Sequence, residues 1–239
     1  MSARTLIIIP AFNEEDAIAG VLKELAASVP EYEVLVVDDG SADSTVEVAL
    51  GLGAIVAPLP FNLGIGSALR TGFRYALEHG YDRAVQVDAD GQHDPAQIAT
   101  LLSHLDGADM VIGSRFAKAT SEYQVGRARL GAMRLMRFVI RLLSGRDFTD
   151  TSSGFRAFSS GAIELFAADY PMDYMDSVEA LLFACYSGLR VVETPAEIRQ
   201  RAGGLPSNRH FKLIYHYLRL MIMLFSSASL RGRRKTRPT

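Results

Sequence analysis

The chain has 239 residues, 49% hydrophobic and 22% charged, a folded globular composition that excludes disordered and fibrous classes. Its single cysteine, Cys185, excludes an intrachain disulfide, fits a reducing compartment and reads as a packing residue in an apolar helical stretch. The net charge of −2 hides an asymmetry: residues 113–146 carry eight Lys/Arg against one acid, residues 199–239 carry ten against none, and the rest holds 26 acids against 7 bases. Such a split predicts one face that meets polyanions or an anionic membrane.

In chain order, MSARTLIIIPAFNEE opens with an apolar run too short for a signal peptide, so it reads as mature sequence. Strands are expected at 5–10, 33–39, 54–59, 83–88 and 109–114, with helices at 14–28, 42–51, 65–79 and 94–105 between them. Alternation of apolar strands with helices predicts a mostly parallel sheet covered on both faces. After Arg115 the pattern changes to a basic amphipathic helix (127–144), a short SGFRAF segment (153–158), a helix (175–187) and a strand-like run (190–199). An apolar helix at about 210–225 and a basic, disordered end follow, giving a domain at 1–209, an amphipathic helix at 210–226 and a tail at 227–239.

Polar clusters fall at three expected strand ends: Asn13-Glu14-Glu15, Asp38-Asp39-Gly40-Ser41 and Asp88-Ala89-Asp90. In a parallel sheet, ligands bind beyond the carboxyl ends of the strands. The segment VQVDADGQHDP (85–95) crowds Asp88, Asp90, Gln92, His93 and Asp94 into one turn. Charge at the edge of an apolar core needs compensation, and a divalent cation such as Mg²⁺ or Mn²⁺ suits carboxylates that share it with substrate phosphates. His93 reads as a structural residue behind the ligands. Asp39 is open to two readings, a turn cap before Gly40 or a ligand contact. Gly64 and Gly66 likewise make a tight turn or admit a ligand to the backbone. No GxGxxG follows the first strand and no P-loop lysine is present, which excludes dinucleotide-binding and P-loop enzymes.

Together, IIIPAFNEE, VVDDGSADST, NLGIGSALRTGF, VQVDADGQHDP, GSRF, DTSSGFRAF and ETPAEIRQR resemble glycosyltransferase family 2, and within it the polyprenyl-phosphate glycosyltransferases of dolichyl-phosphate mannose synthase type. They occur in the family's order over roughly residues 5–205. The resemblance implies a GT-A fold, a nucleotide-sugar donor and Mg²⁺ or Mn²⁺. By position it puts Pro10, Ala11, Asn13 and Glu15 in the nucleotide pocket with Asp39, Asp88 and Ala89. Asp88, Asp90 and Gln92 become metal ligands, with Asp90 also catalytic. Arg115 and Arg129 become the acceptor-phosphate arginines. Arg156 belongs to the matching SGFR segment, which also reads as a tight turn anchoring the acceptor helix.

On a helical wheel of 127–144, Arg127, Arg134, Arg137 and Arg141 share one arc and Met133, Met136, Val139, Ile140 and Leu143 another. Arg129 projects into the apolar arc, where a buried cation calls for an anion. Met133 stands where relatives often have serine. In the loop RQRAGGLPSNRHFK, Ser207 takes the first position of the family's serine-lysine pair and Asn208-Arg209 replaces the lysine. Arg199, Arg201 and Arg209 are therefore the diphosphate candidates. The stretch 211–225 is too short and too polar to span a bilayer and fits either an interfacial helix with the basic tail on anionic headgroups, or a last core helix.

The expected reaction is inverting transfer of a sugar from GDP-mannose or a UDP-hexose to a polyprenyl phosphate at the cytoplasmic membrane face. An ionised phosphate needs no strong base, its second pKa being about 6. A hydroxyl acceptor would need one, with Asp150 or Glu179 as candidates. A third reading is a membrane-docked nucleotide-binding protein without turnover. The expected location is peripheral, on the inner face of the cell membrane. A separate membrane-spanning partner or a homo-oligomer is compatible, and nothing points to nucleic acid.

Overall fold

The structure is a computed structural model. It describes residues 3–117, 127–171 and 176–199, without the side chains of 127–130, 132–134, 136 and 176. The expected helix at 210–226 and the tail lie outside the described residues, all of which belong to one compact unit ending at Gly204.

The strands are β1 (Thr5–Ala11), β2 (Glu33–Asp38), β3 (Ile55–Pro58), β4 (Arg83–Gln86), β5 (Met110–Ser114), β6 (Arg156–Ser159) and β7 (Val191–Pro195). The helices are α1 (Glu15–Ser28), α2 (Thr45–Gly51), α3 (Ile65–Glu78), α4 (Ile98–Ser103), α5 (Arg127–Ser144), α6 (Ser160–Ala168) and α7 (Asp176–Tyr186). The strands form one sheet in the order β3-β2-β1-β4-β6-β5-β7. All its pairings are parallel except those of β6, which runs antiparallel between β4 and β5. β6 begins within the SGFRAF segment, and its insertion separates two strands that are consecutive in the sequence.

Alternation along the strands fills two layers. Ile7, Ile9, Val36, Val85, Val111, Phe155 and Ala157 face Ile18, Leu22, Leu25, Ile98 and Leu101 of α1 and α4. On the other face Phe158 meets Phe73 of α3 edge-on, with ring centres 4.8 Å apart, and Phe166 of α6 stacks on Phe73 at 5.3 Å. A Cβ on Gly72 would come within 2.4 Å of Ile8 Cγ2, so the glycine lets α3 lie against β1. Burying each such large apolar side chain contributes roughly 1.5–3 kcal/mol.

Where element boundaries differ from expectation, local hydrogen bonds explain it. The second helix starts at Thr45, three residues later than expected, because Asp43 accepts from Thr45 N–H at 3.0 Å and Thr45 Oγ1 at 2.5 Å and holds a turn instead. The expected helix at 94–105 breaks into a 3₁₀ turn at Pro95–Gln97, α4, and a second 3₁₀ turn at His104–Gly107. Asp94 caps the first by accepting from Ala96 N–H at 3.0 Å. The fourth strand stops at Gln86, and Asp88 turns away because its N–H donates to His93 Nδ1 at 3.0 Å.

Candidate functional site

β1 is followed by β2 and β3 on one side and flanked by β4 on the other, so the strand order reverses between β1 and β4. A crevice opens at the carboxyl ends of the strands at such a point. Pro10 and Ala11 form its β1 lip, and Asp88, Ala89 and Asp90 follow β4 on the other side. Phe12, 44% exposed beside Ala11, offers an aromatic face at the same lip, a residue the motif comparison passed over.

Asn13 adopts φ +53°, a left-handed conformation that asparagine tolerates. Its Oδ1 accepts from Ala42 N–H at 2.8 Å while its N–H donates to Ser41 Oγ at 2.9 Å. Glu15 Oε2 accepts from Ser44 N–H at 3.0 Å. These two expected nucleotide-pocket side chains brace the loops after β1 and β2 against each other and thereby shape the crevice wall.

Asp39, 4% exposed, accepts from Leu63 N–H at 2.8 Å on one oxygen and from Gly64 N–H at 2.9 Å on the other. Burial raises its pKa above the usual carboxylate range, and the two amide donors and neighbouring Asp38 modulate that shift. Next to it Gly40 has φ +75°, and a Cβ there would sit 2.6 Å from the Phe61 carbonyl carbon. Asp39 and Gly40 thus seat the glycine loop of residues 61–64 directly on the end of β2. The turn reading of Asp39 extends further than a local cap, because its partners are 24 and 25 residues away.

The carboxylate turn is rigidly supported. The Asp88 side chain is 35% exposed, and its oxygens face His93 Nε2 at 3.6 Å and Gln86 Nε2 at 3.5 Å. His93, 6% exposed, accepts through Nδ1 and stacks on Phe155 with centroids 4.8 Å apart. It therefore stands behind Asp88, its imidazole wedged between the turn and the sheet. Asp90 Oδ1 accepts from Gln92 N–H at 3.0 Å, and Gln92 Nε2 donates to the Arg199 carbonyl at 3.2 Å.

Whether these residues suit a divalent cation is tested by their surroundings. A Cβ on Gly154 would lie 2.8 Å from both Asp88 oxygens, so the chain keeps open, with a glycine, the space in front of that carboxylate. Among the described residues no group of three His, Cys, Asp or Glu side chains forms a closed metal centre. Two carboxylates in one turn are a donor set for a cation that takes its remaining oxygens from substrate phosphates and water. The residues fit Mg²⁺ or Mn²⁺ held by Asp88 and Asp90, with the Gln92 side chain beside them.

The basic candidates fare differently. Arg199 is engaged by Glu24 of α1 and, at 3.0 Å, by Asp94, which leaves its guanidinium as a strut between α1 and the turn. Arg201 and Arg209 lie outside the described residues, as does the side chain of Arg129, whose backbone is in α5. Arg115 is locked to Asp150 by bonds of 2.6 Å from Nε and 2.7 Å from Nη2, and also donates to Ser152 Oγ at 2.8 Å. Asp150 is fully buried, yet its pKa is lowered: burial pushes it up, and the Arg115 hydrogen bonds and charge outweigh that. Asp150 is therefore a poor general base.

Glu193 of β7 completes this cluster, accepting from Thr149 N–H at 2.8 and 2.9 Å and from Asp150 N–H at 2.8 Å. Sequence reasoning missed it, since a glutamate in a ten-residue polar strand pattern carries no local signal. Gly154 was legible as part of the matching SGFR segment and as part of a turn, but not as a neighbour of Asp88.

The outer face of α5 is mixed. Val139 and Ile140 are buried as expected, but Leu135, Phe138 and Leu142 are 58%, 63% and 72% exposed, on the same side as exposed Arg137 and Arg141. Arg137 is paired bidentately with Asp147 at 2.7 Å. Among the described residues, no helix is long and apolar enough to cross a membrane.

The model of the protein family described as "Glycosyl transferase family 2" matches residues 6–166. An undecaprenyl-phosphate mannosyltransferase of Micrococcus luteus is 34% identical over 84% of this chain and 86% of that protein. A polyprenol monophosphomannose synthase of Mycolicibacterium smegmatis is 32% identical over 84% of this chain and 80% of that one. Among solved structures, glucosyl-3-phosphoglycerate synthase from Mycobacterium tuberculosis, in complex with Mn²⁺, UDP and glucosyl-3-phosphoglycerate, superposes with a TM-score of 0.67 at 22% identity. That match covers 95% of this chain and 80% of the other.

Proposed function

The chain belongs to glycosyl transferase family 2 and has its GT-A fold, and from that premise we propose that it transfers a sugar from a nucleotide sugar to a polyprenyl phosphate. The observation that carries the reading is the placement of Asp88 and Asp90 just after β4, at the switch point beside Pro10 and Ala11, with a glycine, Gly154, facing the Asp88 carboxylate. The acceptor class is supported by relatives named as undecaprenyl-phosphate and polyprenol mannose transferases.

The chemistry follows from these residues. The donor's base and ribose lie along the β1 lip, where Phe12 offers a stacking face and Asn13, Glu15 and Asp39 hold the walls. The diphosphate extends toward Asp88 and Asp90. Asp88 and Asp90 would hold a divalent cation, which would supply positive charge to offset that of the departing nucleoside diphosphate. Asp88 and Asp90 orient that leaving group, and Gly154 lets the sugar end approach. Asp150, ionised and closed off by Arg115, does not serve as a base, and an already ionised lipid phosphate needs none. Inversion is the outcome of its direct attack on the anomeric carbon.

The membrane reading has two supports. Exposed Leu135, Phe138 and Leu142 beside arginines on α5 make a surface that enters a headgroup layer. The basic sequence of residues 227–239 supplies attraction to anionic lipid. We place the protein peripherally on the cytoplasmic face, where nucleotide sugars are available.

The test is transfer from radiolabelled GDP-mannose and UDP-hexoses to undecaprenyl phosphate in liposomes, with Mn²⁺ or EDTA, for the full chain and Asp90→Asn. Metal-dependent product on the lipid phosphate, lost in Asp90→Asn while the far-UV spectrum is retained, is the expected result. Transfer only to a saccharide hydroxyl, or turnover unchanged in EDTA and in Asp90→Asn, would overturn the reading.

A further inference from the structure

A buried polar layer lies behind the carboxylate pair, and nothing above gives it a task. Gln86 and Arg156 are direct register partners across the antiparallel β4–β6 pair, so their side chains share one face of the sheet. Each residue is 1% exposed. Gln86 Nε2 points at Asp88 Oδ1, 3.5 Å away, while Gln86 Oε1 has no partner. Arg156 Nη2 donates to the Ser177 carbonyl of α7 at 2.7 Å, while its Nε–H has no partner.

The two unmatched groups are complementary: a spare acceptor on Gln86 and a spare donor on Arg156, at opposed positions. Each unmatched buried group costs roughly 1–3 kcal/mol. The guanidinium also carries a positive charge in a dry layer, and no ion pair to it is present among the described residues. Apolar side chains of similar volume would fill the layer at less cost. What distinguishes this place is its neighbour, since the chain of contacts ends on Asp88 and the space cleared by Gly154.

We infer that Gln86 and Arg156 are positioning residues for Asp88, acting on the cation and diphosphate through it. Gln86 Nε2–H, 3.5 Å from Asp88 Oδ1, holds the rotamer of that carboxylate, and Arg156, the cross-strand partner of Gln86, holds the amide in place from the facing position. Through Ser177 the same side chain ties this arrangement to α7. The inference rests on the reading of Asp88 and Asp90 as cation ligands. Hydrogen-bond partners standing behind metal ligands typically change metal affinity about 10–100-fold when removed.

The experiment measures free Mn²⁺ by electron paramagnetic resonance while the full chain is titrated with Mn²⁺, in one arm with UDP and in another with GDP. It compares the wild type with Gln86→Met, Gln86→Leu, Arg156→Met, Arg156→Lys and Asp90→Asn, each kept well below its own Tm. Gln86→Met and Arg156→Met should bind Mn²⁺ at least about tenfold more weakly. Their Tm should be unchanged or higher, because an unmatched buried polar group has been removed. Arg156→Lys, which keeps the charge, should recover part of the affinity, and Gln86→Leu replaces Gln86→Met if the latter does not fold. Wild-type affinity in the Gln86 and Arg156 variants, with Asp90→Asn impaired, would overturn the positioning role and leave the cation site standing. No Mn²⁺ binding by the wild type in either arm, or none lost in Asp90→Asn, would overturn the cation site and this inference together.

Discussion

Arg115 at the end of β5 and Asp150, 35 residues later, clamp each other: two bonds of 2.6 and 2.7 Å join a guanidinium 14% exposed to a carboxylate with no exposure. Glu193 holds the backbone under Asp150, so the clamp ties β5, the loop before β6 and β7 into one corner. Arg115→Ala leaves a buried carboxylate unpaired and should cost roughly 3–5 kcal/mol in urea denaturation, whereas Arg115→Met with Asp150→Leu should recover most of it. Arg115 was expected at the acceptor phosphate. A variant of unchanged stability with a raised KM for the lipid phosphate would return it there.

The same pair sets an acid limit. The Asp150 pKa is lowered in the folded state, so its contribution is fully present above the unfolded value of about 3.9 and is lost as pH falls through the folded value. Tm measured from pH 6 down to pH 3 should fall less steeply below about pH 4 in Asp150→Asn than in the wild type.

Asp39 pins the glycine loop through Leu63 and Gly64. In Asp39→Asn one of the two amides loses its acceptor, at about 1.5–3 kcal/mol for a bond to a charged group. Hydrogen exchange at Leu63 and Gly64 should accelerate in the absence of nucleotide. Unchanged exchange with weaker donor binding would assign Asp39 to the nucleotide alone.

Gly154→Ala places a methyl 2.8 Å from both Asp88 oxygens. Its backbone does not need glycine's positive φ, so the fold should survive. Turnover should drop at least about tenfold through weakened Mn²⁺ and diphosphate binding, in the range seen when the groups that orient metal ligands are altered. Wild-type Mn²⁺ dependence in this variant would show that Asp88 has room to move.

On the membrane side, Phe138→Ser with Leu142→Ser removes two exposed apolar side chains, each worth roughly 1.5–3 kcal/mol if buried in lipid. Deleting residues 227–239 removes five basic residues, each worth about 1 kcal/mol near an anionic surface. Sedimentation with phosphatidylglycerol vesicles should weaken in both, and only the deletion should also reduce the salt dependence of binding. Vesicle binding equal to wild type in both would remove α5 and the tail from the membrane.

Arg129→Ala should raise the KM for polyprenyl phosphate or lower kcat with donor affinity unchanged, by about 2–5 kcal/mol for a desolvated charged contact. Arg134→Ala, on the opposite arc of the helical wheel, is the control. Equal effects from both, or a donor-binding defect in Arg129→Ala, would remove the acceptor phosphate from this helix.

The sequence by itself determined the class of fold and the family. Periodicity located the first five strands and their helices, because burial of a sheet face is written in alternating or continuous apolar runs. The clusters at 13–15, 38–41 and 88–90 marked the carboxyl ends, because charge there needs a ligand or a partner. Tertiary structure alone decided what those charges face. SGFRAF read either as the family's SGFR segment or as a tight turn, and its second half opens β6, a strand inserted antiparallel between β4 and β5, which brings Arg156 opposite Gln86 and Gly154 near Asp88. Arg115 and Arg199 read as acceptor-phosphate and diphosphate candidates, and the sheet gives them partners, Asp150 and Glu24, that lie 35 and 175 residues away. Local sequence encodes which residues are apolar and where the chain turns. Which carboxylate meets which guanidinium depends on strand order and register, fixed only when the whole sheet assembles.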